Sequence, residues 1–238
     1  MVSGEWDSQE TYMKKIYWIL LFIVILLADL FAVYLNNETL RYVTKPLLMP
    51  LLVVCFISTT KTLNSPLKKW LLLALLFSWA GDVLLMFESM NANFFIFGLI
   101  AFLIAHILYI ILFDQVRIRE KIKQSLFPLL PIAIYYFLLI TLLQPTLGKM
   151  QKPVAVYGII ISIMLSFAID LWRMKDRAVS FYVIPGALLF IISDSLLAIN
   201  KFYKSFEYAG IAIMFTYGLA QVLITLGAVR YITSTSKQ

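Results

Sequence analysis

Residues 94–113 read FFIFGLIAFLIAHILYIILF, twenty positions without a charge, interrupted only by His106. Wound as an α-helix at 1.5 Å per residue, the stretch is about 30 Å long, the thickness of bilayer hydrocarbon. It is too long for a buried strand, and it lacks the alternation that a membrane barrel would show. Seven further stretches meet the same test within a few residues: 16–35, 43–60, 70–87, 126–143, 153–172, 181–199 and 206–230. The sequence therefore predicts an all-α, polytopic transmembrane bundle of about eight spans. It is a single membrane domain over 16–230, with a polar N-terminal tail at 1–15 and a C-terminal tail at 231–238. Pro46, Pro50, Pro128 and Pro131 make the second and fifth spans the weakest; proline near a span end falls where the helix has unpaired donors anyway.

Composition agrees. Of 238 residues, 62% are hydrophobic and 14% charged, against about 25% charged in an average soluble domain. The net charge of +7 does not point to nucleic acid, because the basic residues are scattered through short loops rather than gathered on one face. Their distribution instead orients the chain. With eight spans, 14 of the 20 Lys and Arg fall on the side of the termini and 6 on the other, which predicts cytoplasmic termini. Residues 1–15 read as a retained tail rather than a cleaved leader, since the first apolar run is long enough to stay as a span.

Ionisable residues inside a span cost at least about 2.5–3.5 kcal/mol each on insertion scales and are functional candidates. Asp29, Asp82, His106 and Asp194 are such residues. Asp82 is expected about 18 Å and Asp194 about 20 Å from the cytoplasmic ends of their spans, in one layer outside the midplane. Helical spacing adds neighbours. Lys201 follows Asp194 by seven residues, Ser78 precedes Asp82 by four, and Tyr217 and Gln221 stand four apart. Gly98, Phe102, His106 and Tyr109 form one stripe, with the glycine allowing close helix approach. Lys45 enters the second span beside Pro46, within reach of the carboxylate layer. Asp29 reads as a helix-bridging carboxylate, and Ser162, Ser166 and Asp170 as helix packing.

The segments Gly81-Asp82-Val83-Leu84-Leu85 and Ser193-Asp194-Ser195-Leu196-Leu197 align at an offset of 112, as do Gly98 and Gly210. Two four-span halves repeated in parallel, with their carboxylates paired across them, would produce that pattern.

The same residues exclude several chemistries. One histidine and one cysteine, Cys55, cannot supply a zinc site of several His or Cys ligands, nor an intrachain disulfide. There is no Gly-x-Ser-x-Gly elbow and no phosphate-cradling glycine loop. A carboxylate pair in a partly dry cavity remains, one member a proton donor and the other a base. It suits acid–base hydrolysis, proton-coupled transport or peptide cleavage by an aspartyl dyad. The Gly-x-Gly-Asp motif of intramembrane aspartyl proteases fails here because position 79 is Trp.

Ser78-Trp79-Ala80-Gly81-Asp82, then Phe97-Gly98-Leu99 leading to His106 and Tyr109, resemble the YhhN family of membrane lysoplasmalogenases. So do Gly186 to Asp194, Ala198-Ile199-Asn200-Lys201-Phe202, Thr216-Tyr217-Gly218-Leu219-Ala220-Gln221 and Lys45-Pro46-Leu47. The similarity runs through residues 40–230, with the first and fifth spans contributing little. It implies an enzyme that hydrolyses the vinyl ether bond of lysoplasmalogens, releasing a fatty aldehyde and a glycerophospho-ethanolamine or -choline. It implies Asp82 and Asp194 as the catalytic pair; the substrate site is expected to include Lys45, His106, Tyr109, Asn200, Lys201, Tyr217 and Gln221. Lys45 and Lys201 are expected at the phosphate. Lys201, on the face of Asp194, favours that carboxylate as the ionised member. No metal or organic cofactor is expected; the expected partners are the lysophospholipid and membrane lipids. A proton-coupled lipid or small-molecule transporter using the same carboxylates is the alternative, and oligomeric state stays open. Abundant Ile, Lys, Asn and Phe favour a bacterial inner membrane, with the endoplasmic reticulum the expectation for a eukaryotic source.

Overall fold

The computed structural model describes residues 2–235. Lys237, placed with the cytoplasmic charges, lies outside them. Eight helices follow one another: α1 (Val2–Tyr34), α2 (Glu38–Thr60), α3 (Leu67–Met86), α4 (Asn93–Arg119), α5 (Leu129–Leu147), α6 (Gln151–Asp170), α7 (Arg177–Ala198) and α8 (Ala209–Thr235). α7 is extended by a π-helical turn, Ile199–Tyr203.

Seven helical stretches are long and apolar enough to cross a membrane. The longest, Leu129–Arg173, has 45 residues and reverses at Gly148. There φ is +50°, a left-handed conformation that favours glycine. The Tyr136 hydroxyl donates to the Ala155 carbonyl at 3.2 Å across that reversal, so α5 and α6 form an antiparallel hairpin within that stretch. The chain is a multi-pass membrane protein. Leu26 of α1 packs on Gly218 of α8 and Val33 on Gly210, an antiparallel register that sets both chain ends on one face.

Local chemistry explains how two awkward helices persist. Pro50 has no N–H for the Pro46 carbonyl one turn earlier; Trp79 of α3 supplies one instead, its Nε1 donating at 2.9 Å. α3 and α4 approach closely at Gly98, where an added Cβ would lie 2.9 Å from Leu85 and 3.3 Å from the Gly81 carbonyl. Asp29 bridges α1 and α2 by accepting from Thr44 Oγ1 at 2.7 Å. Asp170 accepts from the Ser125 backbone N–H at 3.1 Å, pinning the α4–α5 loop to α6, and Ser162 bonds back within α6.

The duplication is visible in the helices. A shift of 112 residues carries α2, α3 and α4 onto α6, α7 and α8 to within four residues at each end. Packing repeats as well: α3 on α4 and α7 on α8, α2 on α3 and α6 on α7, α4 on α6 and α8 on α2. The pairs α1 and α5 break the pattern. α1 lies along α8, but among the described residues α5 makes no comparable packing on α4. It leans on α6 and touches α7, where the Tyr135 hydroxyl and Ser195 Oγ are 2.5 Å apart. Leu138, the counterpart of Leu26, is 62% exposed.

Candidate active site

Asp82 lies one turn from the end of α3 and Asp194 one turn from the end of α7. Asp82 is therefore about 6 Å below the end of its helix, Asp194 has the π-helical turn Ile199–Tyr203 above it, and both lie toward the face opposite the start of α1 and the end of α8. Both line one chamber of about 280 Å³ that opens toward that face. The halves supply equivalent partners. Lys45 of α2 brings Nζ to 3.7 Å from Asp82 Oδ1, and Tyr157 of α6, 112 positions later, donates its hydroxyl to Asp194 Oδ2 at 2.5 Å. Tyr217 donates to Asp82 Oδ2 at 2.7 Å, and His106 Nε2 stands 3.6 Å from Asp194 Oδ2.

Beneath the chamber, Gln221 joins the halves. Its Oε1 accepts from the Tyr109 hydroxyl at 2.5 Å and its Nε2 donates to Ser78 Oγ at 3.0 Å. Tyr109 and Gln221 are themselves 112 residues apart, so two equivalent positions meet on the axis between the halves. Both are fully buried.

A second cavity adjoins the first. It is an apolar slot of about 40 Å³ walled by Phe95, Leu99, Val154 and Ala198. Leu85, Phe102, Asp194 and Leu197 line both spaces. The two cavities thus stand on equivalent sides of the repeat with different linings. Beside Asp82 the α2 wall carries Arg41 and Lys45; beside Asp194 the α6 wall carries Val154 and Tyr157.

Several expected residues fall elsewhere. Lys201 does not face Asp194: its Nζ pairs with Glu88 Oε2 at 3.2 Å and sits 5.0 Å from the Phe95 ring centre. The π-helical turn after Ala198 changes the angular step that placed Lys201 on the Asp194 face. Among the described residues, the lysine that meets one of the two chamber aspartates is Lys45. His106, Tyr109 and Gln221 line neither cavity; the His106 ring is packed edge-on between Tyr157 and Phe190, and the other two are engaged with each other. Asn200 lines the chamber mouth, its Oδ1 accepting from Ser205, and Tyr217 lines the chamber itself. Tyr157 escaped the sequence reading, although a shift of 112 from Lys45 leads to it. Among the described residues no three His, Cys, Asp or Glu side chains converge as metal ligands.

The YhhN family profile matches residues 40–228. Lysoplasmalogenase TMEM86B of Rattus norvegicus is 35% identical over 164 residues, 68% of this chain and 62% of its own length. The Homo sapiens protein of that name is 36% identical over 157 residues, 66% of this chain and 62% of its own. A lysoplasmalogenase of Mycobacterium tuberculosis is 31% identical over 163 residues, 67% and 60% of the two chains. The chain thus spans about three fifths of the length of these curated relatives. No solved structure matches it. The profile match begins at the first turn of α2 and ends within α8, enclosing both carboxylates and every residue of the chamber but Glu38: the chain belongs to the YhhN family.

Proposed function

We propose that this protein hydrolyses the vinyl ether bond of lysoplasmalogens, with Asp82 and Asp194 as its acid–base pair. The observation that carries the reading is the junction at Asp194, where a charged chamber meets an apolar slot. A lysolipid divides in the same way: a polar head group on one side, an alkenyl chain on the other, and the ether bond between them. Two carboxylates stand near that junction, one turn inside α3 and α7, and the ether bond of a lysolipid lies between its head group and its chain. The names of the relatives support the same reaction class.

Asp82, beside the Lys45 ammonium, takes the ionised role, and Asp194, which no lysine among the described residues faces, the protonated one. This reverses the assignment expected from Lys201. Asp194 gives its proton to the alkene carbon β to the ether oxygen, which leaves an oxocarbenium ion. Asp82 stabilises that cation and accepts a proton as water adds to the carbon bearing oxygen. The hemiacetal collapses with transfer of its hydroxyl proton to the departing glycerol oxygen, and the proton on Asp82 returns to Asp194. One ether and one water become one aldehyde and one alcohol, and no metal or organic cofactor takes part. Tyr157 and Tyr217 hold the two carboxylates in place, with His106 behind Asp194 and the Tyr109–Gln221 pair beneath. Lys45 and Arg41 offer positive charge to the phosphate, with Asn200 at the mouth. The substrate is a lysophospholipid drawn from the surrounding membrane lipid, and the termini are cytoplasmic. The Ile, Lys, Asn and Phe content favours a bacterial inner membrane as the site of action.

The test is purified protein in detergent, with no gradient, offered lysolipids that carry 1-alkenyl, 1-alkyl or 1-acyl chains. Release of fatty aldehyde from the alkenyl lipid alone is the expected result. Absence of aldehyde, with lysolipid uptake into proteoliposomes driven by a proton gradient, would overturn the reading in favour of transport.

A further inference from the structure

Around Asp82, the half built from α1 to α4 gathers four charges. Lys45 Nζ stands 3.7 Å from Asp82 Oδ1, and Arg41 lies one helical turn away on α2, its Nε buried. Asp29 reaches the same stretch of α2 from α1: its Oδ1 accepts from Thr44, the residue next to Lys45. Its Oδ2 is buried and, among the described residues, has no hydrogen-bond partner. The side chain is fully buried, and its charge acts on both Arg41 and Lys45. The bond from Thr44 does not need a carboxylate, because the amide oxygen of an asparagine would accept it as well. A charge at position 29 is costly in hydrocarbon and asks for a further reason.

The other half supplies the comparison. A shift of 112 residues carries Arg41 to Pro153, Lys45 to Tyr157 and Asp29 to Thr141. Where the wall has no cation, the α5 position has no carboxylate. Cations and carboxylate occur together in one half and are missing together from the other, although Asp194, the counterpart of Asp82, is kept. Asp29 also precedes residue 40, where the family profile match begins, so it lies outside the segment shared with the family.

The wall beside Asp82 meets two demands that conflict. Its cations attract a phosphate, but a cation beside a carboxylate also favours the ionised form and makes that carboxylate a poorer proton acceptor. A second carboxylate behind the cations offsets this without obstructing them: Arg41 and Lys45 line the chamber and Asp29 does not. We infer that Asp29 is a positioning residue for the hydrolytic step: acting through Lys45 and Arg41, it balances the cationic wall and keeps Asp82 able to accept a proton. The inference rests on the reading of Asp82 as the base of vinyl ether hydrolysis. Asp29 itself touches no substrate.

The test uses full-length protein in detergent. Aldehyde release from a 1-alkenyl lysolipid gives kcat and KM; a saturated 1-O-alkyl lysolipid, which has no alkene to protonate, reports binding alone. Asp29→Asn keeps the acceptor for Thr44 and removes the charge. Its kcat should fall about tenfold, a part of the about 10²–10⁴-fold that a general base supplies, while the alkyl lipid binds at least as tightly as to the wild type. Thr44→Val keeps the charge and removes the hydrogen bond, so its kcat should stay within about threefold of the wild type even where its melting temperature falls. Asp29→Asn combined with Arg41→Met removes one charge of each sign and folds even where the single variant, left with an unbalanced cation, does not. Its kcat should return to within about threefold of the wild type, with a raised KM. An Asp29 that only bridged helices would give another pattern: kcat unchanged in Asp29→Asn, or lost as much in Thr44→Val. Either result, or a double variant whose kcat stays low, would overturn the inference and leave the hydrolytic reading standing. A wild type that releases no aldehyde would overturn both.

Discussion

Gln221 uses both ends of its amide, accepting from Tyr109 and donating to Ser78 in a place water does not reach. Gln221→Leu keeps the bulk and removes both bonds. Each stranded partner then costs about 1–3 kcal/mol, so the melting temperature in detergent should fall clearly below the wild type's. An unchanged melting temperature would mean the network does not hold the halves together. At this scale the sequence was legible where burial is costly. Asp82 and Asp194 stand out because a carboxylate in hydrocarbon needs a reason. Tyr157 does not, since a tyrosine in an apolar span reads as packing, and only the position of Lys45 in the other half gives it away. Arg41 and Glu88 sit at span ends, where charge is ordinary and carries no signal. Lys201 was misplaced because seven residues mark one face only while the helix keeps its α step, and the π turn at Ile199–Tyr203 changes that step.

Among the elements, the α3–α4 hairpin holds Asp82 in place. Gly98→Val would set a branched side chain against Leu85 and the Gly81 carbonyl, beside Asp82 itself. Overpacking of this kind costs about 1–3 kcal/mol. The expected outcome is a lowered melting temperature together with reduced aldehyde release; a variant with unaltered stability would show that the helices separate freely there. Helix existence was readable from continuous apolarity, and boundaries less so. The fifth span was expected to end at 143, yet α5 runs to Leu147, because the chain turns only where Gly148 permits it. The prolines of α2 made it one of the two weakest spans. α2 continues through them because a tryptophan on the neighbouring helix replaces the missing donor, and no property of α2 alone carries that information.

The whole molecule consists of two four-helix halves that repeat at a spacing of 112 residues and differ in their linings. Two four-helix halves give two equivalent carboxylates. One acquires a lysine and a charged wall, the other a tyrosine and an apolar wall, and the pair becomes suited to an amphiphile. The short match at an offset of 112 made the duplication readable; the different linings were not, because they depend on which side chains point into each cavity. The outward lean of α5 leaves the apolar side less covered than its counterpart under α1, consistent with a chain that arrives from the bilayer. The claim on which all this depends is that both carboxylates act on one bond. The direct measurement is aldehyde release from an alkenyl-glycerophosphoethanolamine by purified Asp82→Asn and Asp194→Asn proteins whose melting confirms folding. General acid and base contributions are each worth about 10²–10⁴-fold, so each variant should lose at least about a hundredfold in kcat. If either asparagine protein turns over within about threefold of the wild type, the two halves do not share a catalytic site.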